Sequence, residues 1–259
     1  MTTAQHPQRI IITGASSGIG AALARRYANS SAVLGLVARR RDLLEQLAAA
    51  LPVSCEIYPA DVWDAGALSA AALHFTGRHG VPSVVIANAG VSMGTLTDFA
   101  DDTLAFQEVM DINLIGMVNT FQPFLAGMRD AGRGTLAGIA SVAGYRGLPG
   151  AAAYSASKAA VITYLESLRL ELRASGLRVV TISPGFIDTP MTEKNPYPMP
   201  FRMNAEAAAE HIATLIARGR SYAVIPWQMA IVSRVLRAMP NWLYDRLFAS
   251  APHKPRRGC

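Results

Sequence analysis

Cysteine is scarce in this chain of 259 residues, which contains two, Cys55 and Cys259. Two cysteines, one internal and one terminal, give no disulfide framework, so the sequence predicts a reducing compartment and a cytoplasmic protein. The five histidines are scattered without the spacing of metal ligands, so we expect no metal site.

Long apolar runs are also missing. The mixed run at residues 230–243 is interrupted by Arg234, Arg237 and Pro240, so no stretch reaches the length of a membrane span. The first nine residues contain no apolar signal core. The sequence therefore predicts neither a membrane span nor a cleaved leader.

Short apolar runs alternate with helix-forming segments along most of the chain. Strands are predicted near residues 9–13, 32–38, 54–59, 82–87, 134–140, 177–183 and 221–226. Helices are predicted near residues 18–29, 40–50, 64–79, 101–129, 153–175 and 204–219. This alternation predicts one large α/β domain whose parallel sheet has right-handed crossovers and is buried on both faces.

A glycine-rich segment, residues 13–20, lies between the first predicted strand and the first predicted helix. Its sequence is Thr-Gly-Ala-Ser-Ser-Gly-Ile-Gly. Glycine allows a close approach of backbone to a ligand, and the amide groups at a helix start can hold a pyrophosphate. This is the position at which a dinucleotide-binding fingerprint needs its glycines. A tight turn without a ligand is the alternative.

Tyr154 and Lys158 lie four residues apart in a predicted helix, so they share one face. A free tyrosine has a pKa of about 10, and a nearby ammonium group would lower it. We therefore predict that Lys158 lowers the pKa of Tyr154 for proton exchange with an alcohol or carbonyl oxygen, to which Ser141 could donate a hydrogen bond. The alternative is a tyrosine and a lysine that share a helix face by chance.

These motifs together resemble the short-chain dehydrogenase/reductase family over residues from about 9 to 225. The matching positions are the glycine-rich segment, Asn88-Ala89-Gly90, Asn113, Ser141, Tyr154, Lys158 and Pro184-Gly185. One departure is Ala140, where relatives often carry a second serine. The resemblance implies a single Rossmann-fold domain with a doubly wound, seven-stranded parallel sheet of order 3-2-1-4-5-6-7 and helices on both faces.

The resemblance also implies which residues act. The catalytic set would be Asn113, Ser141, Tyr154 and Lys158, with Asn113 helping to hold a water in a proton relay beside Lys158. An interior asparagine that bonds backbone is the simpler reading of Asn113, and both can be true. The implied cofactor-binding residues are Gly14, Ser16, Ser17, Gly18, Ile19, Gly20, Arg39, Arg40, Asp61, Val62, Asn88, Ala89, Gly90, Tyr154, Lys158, Pro184, Gly185, Ile187 and Thr189.

The end of the second strand bears on the choice of cofactor. Chains that bind NAD carry an acidic residue there, but this chain has Ala38 followed by Arg39 and Arg40. An arginine can pair with a 2′-phosphate in a bidentate fashion. We therefore predict NADP(H) rather than NAD(H), with Arg39 as the first contact and Arg40 assisting. A solvated basic helix start is the alternative.

The substrate region carries a weaker signal. Residues 190–203 are rich in proline, methionine and aromatic side chains, and they could form an apolar lid or a mobile loop without a substrate role. Further candidates are Met93, Val142, Tyr145, Leu148 and Arg146. Because only Arg146 is charged, an apolar carbonyl compound or alcohol is the favoured substrate.

The C-terminal part differs from the rest of the chain. The net charge is +7 for residues 218–259 and −1 for the remainder. Apolar residues interleaved with arginines predict amphipathic helices. We expect residues 227–259 to form an extension of a catalytic domain at 1–226, packed over the substrate pocket or at an oligomer interface. An anionic membrane surface is the alternative, and nucleic acid is not expected.

The sequence thus predicts an NADP(H)-dependent oxidoreductase that interconverts a carbonyl and an alcohol. Its expected partners are an apolar small-molecule substrate and further copies of itself, as a homodimer or homotetramer. Peripheral membrane contact through the C-terminal part, and hence membrane association, is the additional option. A catalytically idle nucleotide-binding regulator or scaffold of the same fold is the alternative function.

Overall fold

Seven apolar segments form one parallel sheet in a computed structural model, which describes residues 7–193, 195 and 197–256. Its strands are β1 (Gln8–Thr13), β2 (Ala32–Ala38), β3 (Ser54–Pro59), β4 (Val84–Ala87), β5 (Gly134–Ile139), β6 (Leu177–Pro184) and β9 (Tyr222–Ile225). Two short strands, β7 (Ile187–Asp188) and β8 (Met203–Asn204), pair with each other. The order β3-β2-β1-β4-β5-β6-β9 confirms the predicted α/β topology, with β9 as the seventh strand of the sheet.

Helices cover both faces of the sheet. They are α1 (Gly18–Ala28), α2 (Arg41–Ala49), α3 (Ala65–His79), α4 (Asp102–Met110), α5 (Gly116–Asp130), α6 (Ala152–Glu171), α7 (Ala205–Ala217), α8 (Trp227–Ala238) and α9 (Asn241–Phe248). Successive side chains of a strand point to opposite faces. Accordingly Ile10 and Ile12 enter one buried cluster with Leu23 and Ile212, whereas Ile11 enters the other with residues such as Phe75. Burial on both sides explains why these strands read as continuous apolar runs.

The predicted helix at 101–129 is not uniform. Residues Asp111–Ile115 form a π-helical segment between α4 and α5. A π turn contains one residue more than an α turn, and such bulges are frequent at functional sites. Asn113 lies in this segment and is fully buried. The bulge is not evident from the sequence, because helix-forming residues continue through it without an interruption.

The amphipathic segments of the C-terminal part form α8 and α9, followed by an extended stretch that ends, in the described chain, at Arg256. None of the described helices combines the length and apolar character needed to cross a bilayer. Within the described residues, no three His, Cys, Asp or Glu side chains come close enough together to hold a metal ion. Cys259 lies outside the described residues.

Candidate active site

A groove opens at the carboxyl ends of the central strands, where β1 lies between β2 and β4 and the connections diverge to opposite faces. This is where ligands bind in open α/β sheets. The groove brings together most of the predicted residues: Gly14, Ser16, Ser17, Gly18, Ile19, Arg39, Arg40, Asp61, Val62, Asn88, Ala89, Gly90, Ser141, Tyr154, Lys158, Pro184, Gly185, Ile187 and Thr189. Gly20 and Asn113 do not line it and lie behind it. Pro190, Met191 and Thr192 of the predicted lid segment also line it, as do four residues that were not predicted: Ala60, Val91, Ile112 and Ile139.

The glycine-rich turn is shaped by backbone geometry. Gly14 and Gly18 have φ angles of 67° and 53°, in the left-handed region that favours glycine. Asn88 braces the turn from β4, since its Nδ2 donates to the carbonyl oxygens of Thr13 at 3.0 Å and Gly14 at 3.4 Å. A Cβ at Gly20 would collide with the Gly14 carbonyl and lie 2.7 Å from Asn88 Nδ2. The turn can therefore approach a ligand closely only with glycine at these positions.

We expect Gly20→Ala to lower the thermal midpoint by several degrees and to weaken NADPH binding at least tenfold, because the new methyl group must displace the turn. The matched control is Gly77→Ala in α3, where a Cβ meets no atom within 4 Å. This control should raise stability by about 0.5–1 kcal/mol, since alanine is the better helix former. Thermal unfolding and fluorescence titration with NADPH measure both effects. Equal behaviour of the two variants would contradict the assigned role of the turn.

Two arginines lie at the end of the groove formed by β2 and β3. Arg39 Nη1 is 3.4 Å from Asp61 Oδ2, and its side chain is mostly exposed. Arg40 Nη2 donates to Ser16 Oγ at 3.0 Å and to Ser17 Oγ at 2.9 Å. Exposed ion pairs contribute little, so Arg39 can exchange Asp61 for a phosphate at small cost. Arg40 lies directly over the glycine-rich turn, a more central place than the assisting role that the sequence suggested.

Lys158 is buried at the centre of the site, with an exposed fraction of 4%. Its Nζ donates to the Ile139 carbonyl oxygen at 2.8 Å and lies 5.9 Å from the centroid of the Tyr154 ring. Burial lowers the pKa of Lys158 to about 8. The ammonium therefore predominates at neutral pH and loses its charge as the pH rises through about 8.

The predicted lowering of the Tyr154 pKa by Lys158 is wrong. Burial raises the pKa of Tyr154, the neighbouring Ser141 hydroxyl opposes that shift, and the Tyr197 side chain adds to it. Lys158 directs its hydrogen bond at Ile139 rather than at the phenol. The desolvation of a phenolate by the surrounding protein therefore outweighs the attraction of the lysine, and Tyr154 is a protonated acid at neutral pH.

Ser141 follows β5 and begins a short 3₁₀ segment at Val142–Gly144. Its Oγ accepts a hydrogen bond of 3.1 Å from the Ala143 amide. Because the oxygen accepts this amide, the hydroxyl hydrogen stays available for Tyr154 or for a substrate oxygen. This hydrogen bond thus fixes the position of Ser141 Oγ and leaves the hydroxyl hydrogen free to be donated.

Asn113 connects three parts of the site. Its Oδ1 accepts from the Val91 amide at 2.8 Å, and its Nδ2 donates to the Val91 carbonyl at 3.0 Å and to Ser157 Oγ at 2.9 Å. Ser157 in turn donates to the Tyr154 carbonyl at 2.8 Å. Asn113 and Lys158 also face the same spot, because a Cβ at Gly90 would lie 3.1 Å from Asn113 Oδ1 and 3.6 Å from Lys158 Nζ. The structure thus shows the backbone bonds of Asn113, and its role in a water relay beside Lys158 stays a prediction.

Ser157 was missed by the sequence analysis. A small polar residue three positions after Tyr154 lies on the helix face that turns toward the π-helical segment, and this position could have indicated a buried hydrogen bond. Its hydroxyl is fully buried and bonds both Asn113 and the Tyr154 carbonyl.

The segment after β6 lines one side of the groove. Thr192 Oγ1 donates to the Ile187 carbonyl at 2.6 Å, which keeps the turn at 189–192 against the groove. The Phe186 and Tyr197 rings lie 6.3 Å apart. Tyr197 also raises the pKa of Tyr154, so this part of the 190–203 segment lies beside the site. Lys194 and Pro196 of this segment lie outside the described residues.

The C-terminal part forms hydrogen bonds with two loops beside the site. Arg146, which the sequence analysis considered for substrate contact, instead donates to the Leu236 carbonyl at 3.2 Å and the Met239 carbonyl at 2.7 Å. Its guanidinium also lies 4.3 Å from the centroid of the Tyr244 ring. Tyr244 donates to the Gly147 carbonyl at 2.6 Å. The loop that follows Ser141 is therefore held by α8 and α9.

The loop after β4 is held by the last described residues. The Gly94 amide donates to the Pro255 carbonyl at 3.0 Å. Lys254 Nζ donates to Ser92 Oγ at 2.8 Å, and Arg256 pairs with Asp102 at 2.8 Å. The C-terminal part thus packs against the loops that follow β4 and β5.

We expect Arg146→Ala to raise KM for the substrate several-fold while the Kd for NADPH stays within about twofold. The substitution leaves the Leu236 and Met239 carbonyls without their donor and loosens the loop after Ser141. Steady-state kinetics and NADPH titration measure the two effects. Arg173→Ala, an exposed position beyond the end of α6, is the control. An equal loss of NADPH affinity in the Arg146 variant would show that the contact supports the whole fold instead.

Comparison with known proteins shows the family of this chain. The family model described as short chain dehydrogenase matches residues 8–198. An uncharacterized oxidoreductase of Myxococcus xanthus is 38% identical over 238 residues, which cover 91% of this chain and 94% of that protein. The chain belongs to the short-chain dehydrogenase family, whose members are oxidoreductases, and the resemblance noted from the motifs is confirmed.

Solved structures show the same fold. A short chain dehydrogenase from Burkholderia cenocepacia J2315, crystallised in complex with NADP, superposes with a TM-score of 0.81 at 24% identity and covers 95% of this chain and 99% of its own. A chain described as ribose-5-phosphate isomerase from Brucella melitensis 16M has a TM-score of 0.77 at 29% identity and covers 85% of this chain and 91% of its own. The fold is therefore shared by proteins with different names.

Proposed function

We propose that this protein is an NADP(H)-dependent oxidoreductase that interconverts a carbonyl and a primary or secondary alcohol on a fairly apolar small molecule. The observation that carries the proposal is the convergence of Ser141, Tyr154 and Lys158 on the same groove as the glycine-rich turn. A cofactor site beside a proton donor is what a hydride transfer to a carbonyl carbon requires.

The residues of the groove fit NADP(H). The glycine-rich turn at the start of α1 offers backbone amides to a pyrophosphate. Arg39 and Arg40 offer two cations near the position of a ribose 2′-phosphate, and the acidic residue of NAD-binding chains is replaced by Ala38, which is buried. Asp61 and Val62 would frame the adenine, and Ile187 and Thr189 would contact the nicotinamide amide. The bound cofactor would supply the hydride.

The chain's own residues would handle the proton. Tyr154, kept protonated by its raised pKa, donates its proton to the carbonyl oxygen during reduction. Ser141 donates a hydrogen bond to that same oxygen and holds it in place. The Lys158 ammonium stabilises the resulting tyrosinate, and Asn113 fixes the backbone beside it. In the oxidising direction the same groups act in reverse.

The substrate side supports an apolar compound. Val91, Pro190 and Met191 line the groove next to the catalytic residues. Arg146 is engaged by the α8–α9 connection and is therefore not free to bind an acidic substrate.

The proposal includes a homodimer or homotetramer in the cytoplasm, with residues 1–226 as the catalytic domain and 227–259 as its extension.

A panel of aldehydes and ketones tests the function by following NADPH oxidation, because a reduced nicotinamide is consumed when a carbonyl is reduced. Turnover of apolar members supports the proposal. Tight NADPH binding with no turnover on the panel in either direction would favour the alternative, a nucleotide-binding regulator or scaffold. Failure to bind either NADPH or NADH would overturn both.

A further inference from the structure

Helices α8 and α9 expose an unusual amount of apolar surface. Trp227, Ile231 and Val235 of α8 and Trp242 and Leu247 of α9 are each more than half exposed; we call these five residues the tail face. They are five of the fourteen large apolar side chains exposed among the described residues, although the two helices account for 20 residues. Single exposed apolar residues are ordinary, but so many on two consecutive helices indicate an interaction surface.

The three members of the tail face on α8 are spaced four residues apart, so they form one stripe along the helix. Met229 and Ser233 of the same helix are buried on its other side. Met229 packs against the backbone at Gly185, where an added Cβ would lie 2.6 Å from its Cγ. The helix is therefore already anchored by one side, and the stripe faces away from the domain.

The second helix is fixed in the same way. Tyr244 is buried and stacks on Phe248, with their ring centroids 4.5 Å apart. Its hydroxyl bonds Gly147, and Arg146 holds the connection between the helices. Trp242 remains 70% exposed. The tail face cannot turn inward without breaking these contacts.

Charge selects the occupant of this face. Arg234 and Arg246 are exposed on the same two helices, where Asp245 is the one acidic residue. Arg237 is exposed as well, and its Nη1 donates to the Tyr145 carbonyl at 3.3 Å. Residues 218–259 carry a net +7. Two copies of this face pressed together would bring like charges into contact, whereas anionic lipid headgroups would neutralise them. Tryptophan and arginine are also the side chains that suit the boundary between headgroups and acyl chains.

We propose that the tail face rests on an anionic membrane surface, with α8 and α9 lying in the plane of the interface and the catalytic groove outside it. The apolar side chains enter the boundary of the acyl region, and the arginines bind the headgroups. Binding is peripheral and salt-sensitive. The proposal does not depend on the reaction that the groove catalyses.

The test is co-sedimentation of the full chain with two kinds of vesicles, phosphatidylcholine alone and equal parts phosphatidylcholine and phosphatidylglycerol. We expect binding to the anionic vesicles that is at least about tenfold stronger and that is reversed by high salt. Trp227→Ala combined with Trp242→Ala should weaken it at least tenfold. The control is Trp63→Ala, which removes a tryptophan that is 62% exposed outside the tail face and should bind as the parent does.

A second pair of variants tests the charges. Arg234→Glu with Arg246→Glu should abolish binding to the anionic vesicles, whereas Arg133→Glu with Arg173→Glu, exposed elsewhere on the surface, should weaken it much less. NADPH affinity, measured in parallel, shows that each variant is folded. The proposal is overturned by binding that ignores lipid charge, by an equal loss in the Trp63 control, or by no vesicle binding. It is also overturned if the double tryptophan variant instead converts a larger oligomer to a smaller one in light scattering, since the face would then be a subunit interface.

Discussion

Replacing Tyr154 with phenylalanine should lower kcat for carbonyl reduction by about 10²–10⁴, the range that a positioned proton donor contributes. The substitution removes the hydroxyl and keeps the ring, so the packing around Lys158 and the cofactor groove should persist. The Kd for NADPH should therefore stay within about threefold, since the tyrosine adds one hydrogen bond at most to cofactor binding. Single-turnover kinetics and fluorescence titration separate the two quantities.

The same helix provides the control for this substitution. Tyr164→Phe makes the identical chemical change ten residues further along α6, outside the groove, and should leave kcat within about twofold. A Tyr154 variant that turns over at the parent rate would remove Tyr154 from the reaction and leave Ser141 or a water as the donor. A loss of NADPH affinity equal to the loss in kcat would mean that the ring, rather than the proton, is what matters.

The double variant Ala38→Asp with Arg39→Ser should shift the preference from NADPH toward NADH by roughly 10²-fold in the ratio of kcat/KM values. One hydrogen bond to a charged group contributes about 1.5–3 kcal/mol, and the change removes such a bond for the phosphate while creating one for a ribose hydroxyl. The new carboxylate also repels the 2′-phosphate. Kinetics with both cofactors at a single substrate concentration measure the ratio.

Two further variants show which arginine acts. Arg41→Ser changes the next arginine along, which is paired with Glu45 on the exposed face of α2, and should leave the ratio unchanged. Arg40→Ser removes the hydrogen bonds to Ser16 and Ser17. The change in the ratio of kcat/KM values then shows how much Arg40 contributes to the cofactor preference. If the ratio stays constant in the double variant and falls in the Arg40 variant, then Arg40 and not Arg39 recognises the phosphate.

Most strands were predictable because they are apolar over most of their length and are bounded by turn residues. The observed bounds, such as Ala32–Ala38 and Ser54–Pro59, coincide with the predicted ones. The glycine-rich turn was equally readable, since positive φ angles at Gly14 and Gly18 demand glycine. These features are local, and local chemistry is what a single sequence records best.

The features that sequence reasoning missed depend on distant contacts. The π-helical segment around Asn113 is held by bonds to Val91 and Ser157, 22 and 44 residues away in sequence. The raised pKa of Tyr154 reflects burial by the assembled groove, which the spacing of a tyrosine and a lysine does not encode. Arg146 was a candidate for substrate binding because the residues next to it in sequence do not indicate its true partners. Those partners are carbonyl groups of the α8–α9 connection, about 90 residues later in the chain.

The contacts at the end of the described chain have a consequence for the order of folding. Lys254 and Arg256 reach back 162 and 154 residues to Ser92 and Asp102, whereas the sheet is complete at Ile225. During synthesis, all strands leave the ribosome before Lys254 and Arg256 do, and domains generally form from the N-terminal side. The sheet and the glycine-rich turn can therefore assemble first, and the last residues dock onto a surface that already exists. A nascent chain would then form its groove before the loops beside Ser141 and Gly94 gain their hydrogen bonds to the C-terminal part.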